Sequence, residues 1–265
     1  MALLKAVSLA DVKAFHADFY GAQSGDLAII GDVDPAQVTT LATRLFGDWR
    51  AKNPWARIPN PYVRTDSTLM SIETPDKATA MFFAIQRVNI NDGDSTVAAS
   101  QLGSEILGGG FLKSRLADRI RHQDGLSYGV GSQLTAPPWG QGGALLSYAI
   151  YAPQNVDRLL VAFREELDRL LRDRITQDEL DAARKGWLGA RDQSLANDDE
   201  LVITLTARRA YNRTFTGYDQ ALADRVTKVT VADVNAALHR IIDPKQMVLV
   251  RAGDFSGAKK KVATR

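Results

Sequence analysis

The spacing of apolar residues predicts a chain that alternates helices with short buried strands. Apolar positions recur with a helical period over 8–20, and Ser8 with Asp11 forms a capping-box pattern at the start of this helix. The continuous apolar run over 27–30 predicts a buried strand. A second helix is expected over 34–47, because Asp-Pro opens it and glycine closes it.

The same order of elements returns near the other end of the chain. A helix ending near Ile241 is followed by an apolar strand and then by a second Gly-Asp pair. The interval from Asp11 to Asp233 equals the interval from Gly31 to Gly253, with no insertion. Two landmarks in one register predict a duplicated domain of about 220 residues.

This repeat predicts the domain organisation. Residues 1–55 are expected to be the closing helix-strand-helix piece of a preceding repeat domain, and residues 63–265 a complete second copy. The linker between them is marked by Asn53, Pro54, Pro59 and Pro61. The chain is thus expected to begin in mid-domain, as a piece of a longer polypeptide. The alternative is a whole protein in which a common local pattern occurs twice.

Strands and helices of the expected complete copy follow in groups. Strands are predicted over 68–73, 79–88, 126–135 and 144–151, and helices over 95–107 and 112–122 and through much of 153–212. Thr176 with Glu179 is a capping box between two of the later helices. Strands that alternate with helix pairs predict an α+β fold, a two-layer α/β sandwich.

Charge and composition narrow the class of partner. The 33 basic and 31 acidic residues give a net charge of +2, so neither nucleic acid nor a membrane is expected as a partner. The basic residues over 259–261 are expected to form a solvated tail.

The chain has no cysteine, which excludes disulfides and thiolate metal sites, and either periplasm or cytoplasm is compatible. No apolar stretch is long enough to span a bilayer, and no signal-peptide pattern is present.

The middle of the chain contains a specific motif. A glycine-rich turn precedes Ser-Arg-Leu, and an arginine then precedes Gly-Leu-x-Tyr by a fixed interval. This pattern resembles the pitrilysin/insulinase family of zinc metallopeptidases, and weaker matches extend the resemblance over nearly the whole chain. The motif positions are Gly108, Gly109, Gly110, Ser114, Arg115, Leu116, Arg121, Gly125, Leu126, Ser127 and Tyr128.

The resemblance implies an enzyme built from four such domains around a chamber, with zinc bound by His-x-x-Glu-His in one of them. This chain lacks that motif. Its histidines are His16, His122 and His239, and no two are spaced to share a helix face. Because zinc needs about three converging ligands and a base, we expect no metal site in this chain and zinc only in the complete enzyme.

The resemblance assigns substrate contacts to Arg121 and Tyr128. In the family the corresponding arginine and tyrosine reach across to the zinc site and hydrogen-bond the substrate carbonyl. Both side chains are donors that can stabilise an oxyanion. The alternative is structural, with a surface arginine at a helix end and a strand tyrosine packed on its ring.

The glycines over 108–110 also have two interpretations. They are either a plain helix stop or the substrate-guiding loop that the resemblance implies. They do not form a dinucleotide or phosphate loop, because they follow a helix and lack the required spacing and the Lys-Ser/Thr end.

The predicted function is that of a non-catalytic C-terminal part of a zinc metalloendopeptidase. Such a part would bind peptide substrate, close the proteolytic chamber and pair with a catalytic zinc-binding half in the same chain or in a partner subunit. An alternative is a catalytically dead scaffold subunit of the same family.

A rival from another class is a serine hydrolase. Gly-x-Ser-x-Gly over 125–129 places Ser127 as the nucleophile, and His239 follows in the expected order. The nucleophile elbow requires a strand before the serine and a helix after it, whereas here a charged helix precedes Ser127 and a strand is predicted to follow. The context argues against this function.

Overall fold

The computed structural model describes residues 4, 6–110 and 113–258. The chain divides into two compact units, one formed by Met1–Pro59 with Asp192–Asp219 and the other by Asn60–Arg191 with Gln220–Arg265. The α-helices are α1 (Leu9–Phe19), α2 (Pro35–Phe46), α3 (Val97–Ser104), α4 (Val156–Asp173), α5 (Gln177–Leu195), α6 (Asp198–Ala210), α7 (Ala221–Lys228) and α8 (Val231–Ile241). The strands are β1 (Thr68–Glu73), β2 (Ala80–Asn89), β3 (Ser127–Thr135), β4 (Gly142–Tyr151) and β5 (Val248–Gly253).

The larger unit contains an open five-stranded sheet in the order β1-β5-β2-β4-β3. Strand β1 runs parallel to β5, and the remaining neighbours are antiparallel. The expected α+β two-layer sandwich is confirmed, because helices cover one face of this sheet. Both β1 and β3 are edge strands, so each has one row of backbone groups that pairs with no strand of the described chain.

Alternation along β2 shows which face is the core. Its residues are buried at every second position from Ala80 to Val88, while those between them remain partly exposed. On the buried face the ring of Phe82 meets that of Phe163 from α4 edge to face, with centroids 5.0 Å apart. The core therefore lies between the sheet and the helices.

The opposite face of the sheet is apolar and partly open. Phe83 of β2 pairs with Tyr148 of β4 on one side and with Val250 of β5 on the other. Tyr148 is 37% exposed, and its ring lies over Gly131 of β3, where an added Cβ would be 2.8 Å from Cε1. A half-exposed aromatic and aliphatic face next to an edge strand is a surface that another chain can cover.

The smaller unit is held by local contacts. His16 of α1 stacks between Tyr20 and Trp49, with ring centroids 5.2 and 5.6 Å away. Arg208 and Asp219 form an ion pair of 2.7 Å. No residue of α1 or α2 is buried, so the apolar faces of both helices are open to solvent.

One expected strand of the smaller unit is not formed. Residues 27–30, predicted as a buried strand, are unpaired, and Leu27 and Ile29 are 62% and 46% exposed. A strand needs a neighbour for its backbone hydrogen bonds, and the described part of this unit contains no other strand. The helix predictions on either side, over 8–20 and 34–47, are confirmed.

The two expected repeat landmarks share one local structure. Ser8 caps α1 with Asp11 reciprocally, and Thr230 caps α8 with Asp233 in the same way. The acceptor carboxylates lie 2.8 and 2.9 Å from the capped backbone nitrogens. Matching caps at matching positions support the duplication, whose domain boundaries stay a prediction.

An ion pair should make the larger unit sensitive to acid. Arg240 of α8 bonds both carboxylate oxygens of Asp94 at 2.9 and 2.6 Å and holds the pKa of that carboxyl at about 2, well below its ordinary 3.8. This stability is present above pH 3.8 and is lost as the pH falls towards 2.

We therefore expect Asp94→Asn to lower the free energy of unfolding at pH 7 by about 1–2 kcal/mol, allowing for solvent screening. Urea unfolding at a series of pH values checks this, with the exposed Asp66→Asn as the matched control. The difference in free energy of unfolding between Asp94→Asn and wild type should become smaller between pH 4 and 2. A difference independent of pH would contradict the stabilising role of the Asp94–Arg240 pair.

Candidate functional site

The glycine-rich segment does not simply end a helix. Helix α3 continues as a π-helical segment over Glu105–Gly109, so Gly108 and Gly109 lie inside helical structure and only Gly110 follows it. The N–H of Gly110 donates to the carbonyl of Glu105 at 3.2 Å, which closes the wider π turn. The helix predicted to stop after Leu107 therefore extends by two residues, because the π turn satisfies their backbone groups.

Gly108 brings this segment against strand β3. A Cβ at position 108 would lie 2.6 Å from both Cβ and N of Ser132. At Gly109 an added Cβ would meet the carboxylate of Glu105 instead. Gly108 is thus required for a close approach of two backbones, whereas Gly109 is not. Gly110 is also required, because an added Cβ there would clash with the carbonyl oxygen of Lys113.

Arg121 lies in a second π-helical segment, Ala117–Gln123. The helix predicted over 112–122 begins at a residue outside the described part of the chain, and its described portion is mostly this π segment. A tight turn then leads to β3, with Gly125 at φ +61° and the N–H of Leu126 donating to the carbonyl of Ile120 at 2.9 Å. Arg121 and Tyr128 therefore lie on either side of one fixed turn.

Arg119 fixes the same turn from the side of α4. Its guanidinium pairs with Asp124 in the turn and with Glu165 of α4, the latter at 2.9 Å. The hydrogen bond to Glu165 contributes most to raising the pKa of Arg119 above its ordinary value. The turn that separates the two candidate residues is thus tied to a core helix.

Tyr128 is the extra residue of a β-bulge. Ser127 pairs with Tyr151 and Gly129 pairs with Ile150, so Tyr128 has no partner across the ladder. The side chain of Tyr128 is 77% exposed, and its hydroxyl has no hydrogen bond within the described residues. A bulge redirects a side chain away from the regular alternation of a strand. The phenol is consequently presented outside the sheet, not packed on its ring.

Ser127 holds this bulge and does not fit a nucleophile. Its hydroxyl accepts the N–H of Gly129 at 3.2 Å and lies 2.7 Å from the carbonyl oxygens of both Gly129 and Ile150. The single hydroxyl hydrogen is therefore shared between backbone acceptors. Because Ser127 also begins a strand and does not precede a helix, the nucleophile elbow is absent at this position.

Metal ligands do not converge in the described residues, where no group of three or more His, Asp and Glu side chains could hold an ion. His122 and His239 are exposed, and His16 is stacked between two aromatic rings. No helix of the described chain is long and apolar enough to cross a membrane.

Comparison with known proteins identifies the family. Residues 6–186 match the family described as the peptidase M16 inactive domain, so the chain belongs to that family. This match confirms the resemblance to the zinc metallopeptidase family and the prediction that the chain contains a non-catalytic domain of it. A crystal structure of a peptidase M16 inactive domain from Pseudomonas fluorescens is 29% identical, with a TM-score of 0.77 over 94% of this chain and 58% of that one.

Two curated relatives are named uncharacterized zinc proteases. The Rickettsia bellii protein is 27% identical over 64% of this chain and 39% of its own length. The Mycobacterium leprae protein is 24% identical over 92% of this chain and 54% of its own length. The chain thus spans about half or less of the curated relatives it matches. A ferredoxin protease, FusC, in complex with Arabidopsis ferredoxin shares the fold, at 15% identity and a TM-score of 0.65 over 95% of this chain and 27% of that one.

Proposed function

We propose that this chain is the non-catalytic part of a zinc-dependent metalloendopeptidase, where it binds peptide substrate and closes the proteolytic chamber. Its partner is a catalytic zinc-binding half in the same full-length chain or in another subunit. The observation that carries the proposal is the bulge at Tyr128, which presents an unbonded phenol at the edge of the sheet.

Tyr128 and Arg121 supply hydrogen-bond donors in this proposal. When zinc is bound in the catalytic half, it supplies an activated water for attack on a peptide carbonyl. The Tyr128 hydroxyl and the Arg121 guanidinium donate to the carbonyl oxygen as it becomes an oxyanion. The turn fixed by Arg119 and Gly125 sets the positions of both donors before substrate arrives.

The glycine segment guides the peptide in the same proposal. Gly109 is exposed and Gly110 is partly exposed, so an extended peptide could pass close to their backbone, whereas Gly108 is buried against β3. Two rare π segments contain Gly108, Gly109 and Arg121 of the motif, and π turns occur frequently at functional sites. FusC, which contains a part with this fold, was solved in complex with ferredoxin, and a polypeptide ligand for this chain agrees with that.

Peptide binding without cleavage is the experiment that tests the function. A fluorescently labelled, unstructured peptide is titrated with the purified chain, and its anisotropy and its mass are followed. We expect saturable binding with the peptide intact, weakened by Arg121→Ala and little changed by Tyr128→Phe, whose hydroxyl is proposed to act on the oxyanion. A chain that binds none of a varied set of peptides would instead fit a scaffold subunit.

The domain prediction makes a further claim about residues 1–55. We propose that they close a preceding repeat domain, whose remaining part covers the exposed apolar side chains of Leu27, Ile29, Leu45 and Phe46. In the isolated chain this region should therefore be cut by a protease several times faster than 63–265, as expected where few apolar side chains are buried. Limited proteolysis with mass mapping of a dilute sample checks it. Equal resistance of both regions would contradict the claim.

A further inference from the structure

A cavity of about 470 Å³ opens between the first π segment, Glu105–Gly109, and helix α5. It lies inside the larger unit, and Gly110 and the segment 113–118 complete its described lining. No proposed role of Arg121 or Tyr128 uses it. Its place beside the glycines of the motif makes it accessible to any peptide that follows them.

Most of the lining surface is apolar, although half of the lining residues are charged. Ile106, Ala182 and Ala183 contribute apolar surface, and Gly186 leaves room in the middle of α5. A Cβ added at Gly186 would meet no atom within 4 Å, so the space beside the helix is open. Such walls suit an unbranched hydrocarbon stem.

One charged pair of the lining is already satisfied. Arg115 donates to Glu179 through Nε and a terminal nitrogen, at 2.7 and 3.0 Å. The same guanidinium also reaches the carbonyl of Arg174 at 2.6 Å. These groups therefore form a fixed wall of the cavity and do not compete for a ligand.

The remaining charges favour a cation. Glu105, Asp118 and Asp178 line the cavity, and none of them has a side-chain hydrogen bond or ion pair within the described residues. Besides the Arg115–Glu179 pair, these three carboxylates face a single basic group of the lining, the ammonium of Lys113. Burial raises the pKa of the Glu105 carboxyl. A bound cation would offset that desolvation, as an opposite charge does for a half-buried carboxylate.

A buried donor also faces this space. The Ser114 side chain is 5% exposed, and its hydroxyl accepts the N–H of Ala117 at 3.3 Å. No acceptor for the Ser114 hydroxyl hydrogen is found in the described residues. The cavity therefore offers a hydroxyl as well as carboxylates to a polar head group.

We infer that this cavity binds the side chain of a lysine or arginine residue of the peptide substrate, with the aliphatic stem on the alanine face of α5 and the charged head at Glu105. This specificity rests on the proposed function. An amphipathic cation is the ligand whose stem and head match the two kinds of lining.

Matched peptides test the specificity. Two labelled peptides are compared that are identical except at one position, which is lysine in one and norleucine in the other. The two side chains have the same hydrocarbon stem, but only lysine carries a charge. We expect the lysine peptide to bind about tenfold more tightly, as for a charge-assisted hydrogen bond, and Glu105→Gln to remove the preference. The control is Glu200→Gln, which removes the same charge at an exposed position and should keep the preference for the lysine peptide.

A second pair of variants blocks the cavity without changing charge. Gly186→Leu places a side chain in the open space, while Gly189→Leu, on the same helix but outside the lining, is the control. Both substitutions replace glycine by a better helix former, so both chains should fold. The lysine preference should be lost only in Gly186→Leu, and its survival there would overturn the inference.

Methyl NMR separates this inference from the proposed function. Nα-acetyl-lysine N-methylamide should shift the methyl signals of Ile106, Ala182 and Ala183, and the norleucine analogue should not. If peptides bind with no lysine preference, the cavity assignment is wrong and the proposed function stands. If no peptide binds but the lysine amide shifts these methyls, the cavity assignment stands and the proposed function is wrong. No shift with either compound would overturn the cavity assignment.

Discussion

Replacing Tyr128 by phenylalanine in the complete enzyme is expected to lower kcat far more than it raises KM. The substitution keeps the ring and removes only the hydroxyl that we propose as a donor to the oxyanion. Loss of one such donor costs about 10²–10³ in kcat in hydrolases where it has been measured. Because Arg121 is proposed as a second donor to the same oxyanion, the loss of kcat in Tyr128→Phe should lie at the lower end of that range.

Folding should not account for this loss. Tyr128 is 77% exposed and forms no hydrogen bond within the described residues, so a thermal melt should hardly change.

Arg121→Ala removes charge as well and should affect both kcat and KM, because it also removes contacts made in the ground state. Tyr20→Phe is the control, since Tyr20 is also exposed but lies in the smaller unit.

Steady-state kinetics of the three variants beside their melting curves are the measurement. Unchanged kcat in Tyr128→Phe would return the residue to a structural role at the bulge. A melting temperature lowered enough to explain the loss of activity would do the same.

Gly108→Ala should destabilise the larger unit, whereas Gly109→Ala should not. A methyl group at position 108 would lie 2.6 Å from the backbone nitrogen of Ser132, so strand β3 or the π segment must move. Overpacking of this kind costs about 1–3 kcal/mol, of which the better helix propensity of alanine offsets roughly 1 kcal/mol or less.

At position 109 the three atoms nearest the added methyl group belong to the carboxylate of Glu105, which can rotate away. Urea unfolding of both variants checks the difference. Equal stability losses would show that the close approach at Gly108 is not rigid. If Gly109→Ala instead impairs binding of the norleucine peptide, which does not use the Glu105 charge, in a stable chain, that result supports the guiding role of the segment.

The sequence predicted the elements whose causes are local. The capping pattern of Ser8 with Asp11 places the start of α1, and Thr176 with Glu179 caps α5 through hydrogen bonds of 2.7 and 3.2 Å. Alternation of apolar residues located β2 to within one residue. In each case residues a few positions apart determine the structure.

The elements that depend on distant partners could not be predicted in this way. An apolar run at 27–30 looks like a strand, but only a neighbouring strand makes it one. The bulge at Tyr128 follows from the register of β3 against β4, a long-range property. The cavity at Glu105 requires the packing of α5 against a segment about 70 residues earlier in the chain, which no local pattern specifies.

The proposal that this chain is a non-catalytic part, unable to cleave peptide alone, is tested most directly by measuring its metal content and its peptidase activity together. The purified chain is incubated with zinc, separated from free metal, analysed for zinc and assayed on a mixture of labelled peptides. Because three converging ligands and a base are needed for zinc hydrolysis, we predict no stoichiometric zinc and no cleavage. One zinc per chain, together with cleavage that a chelator abolishes, would contradict the account.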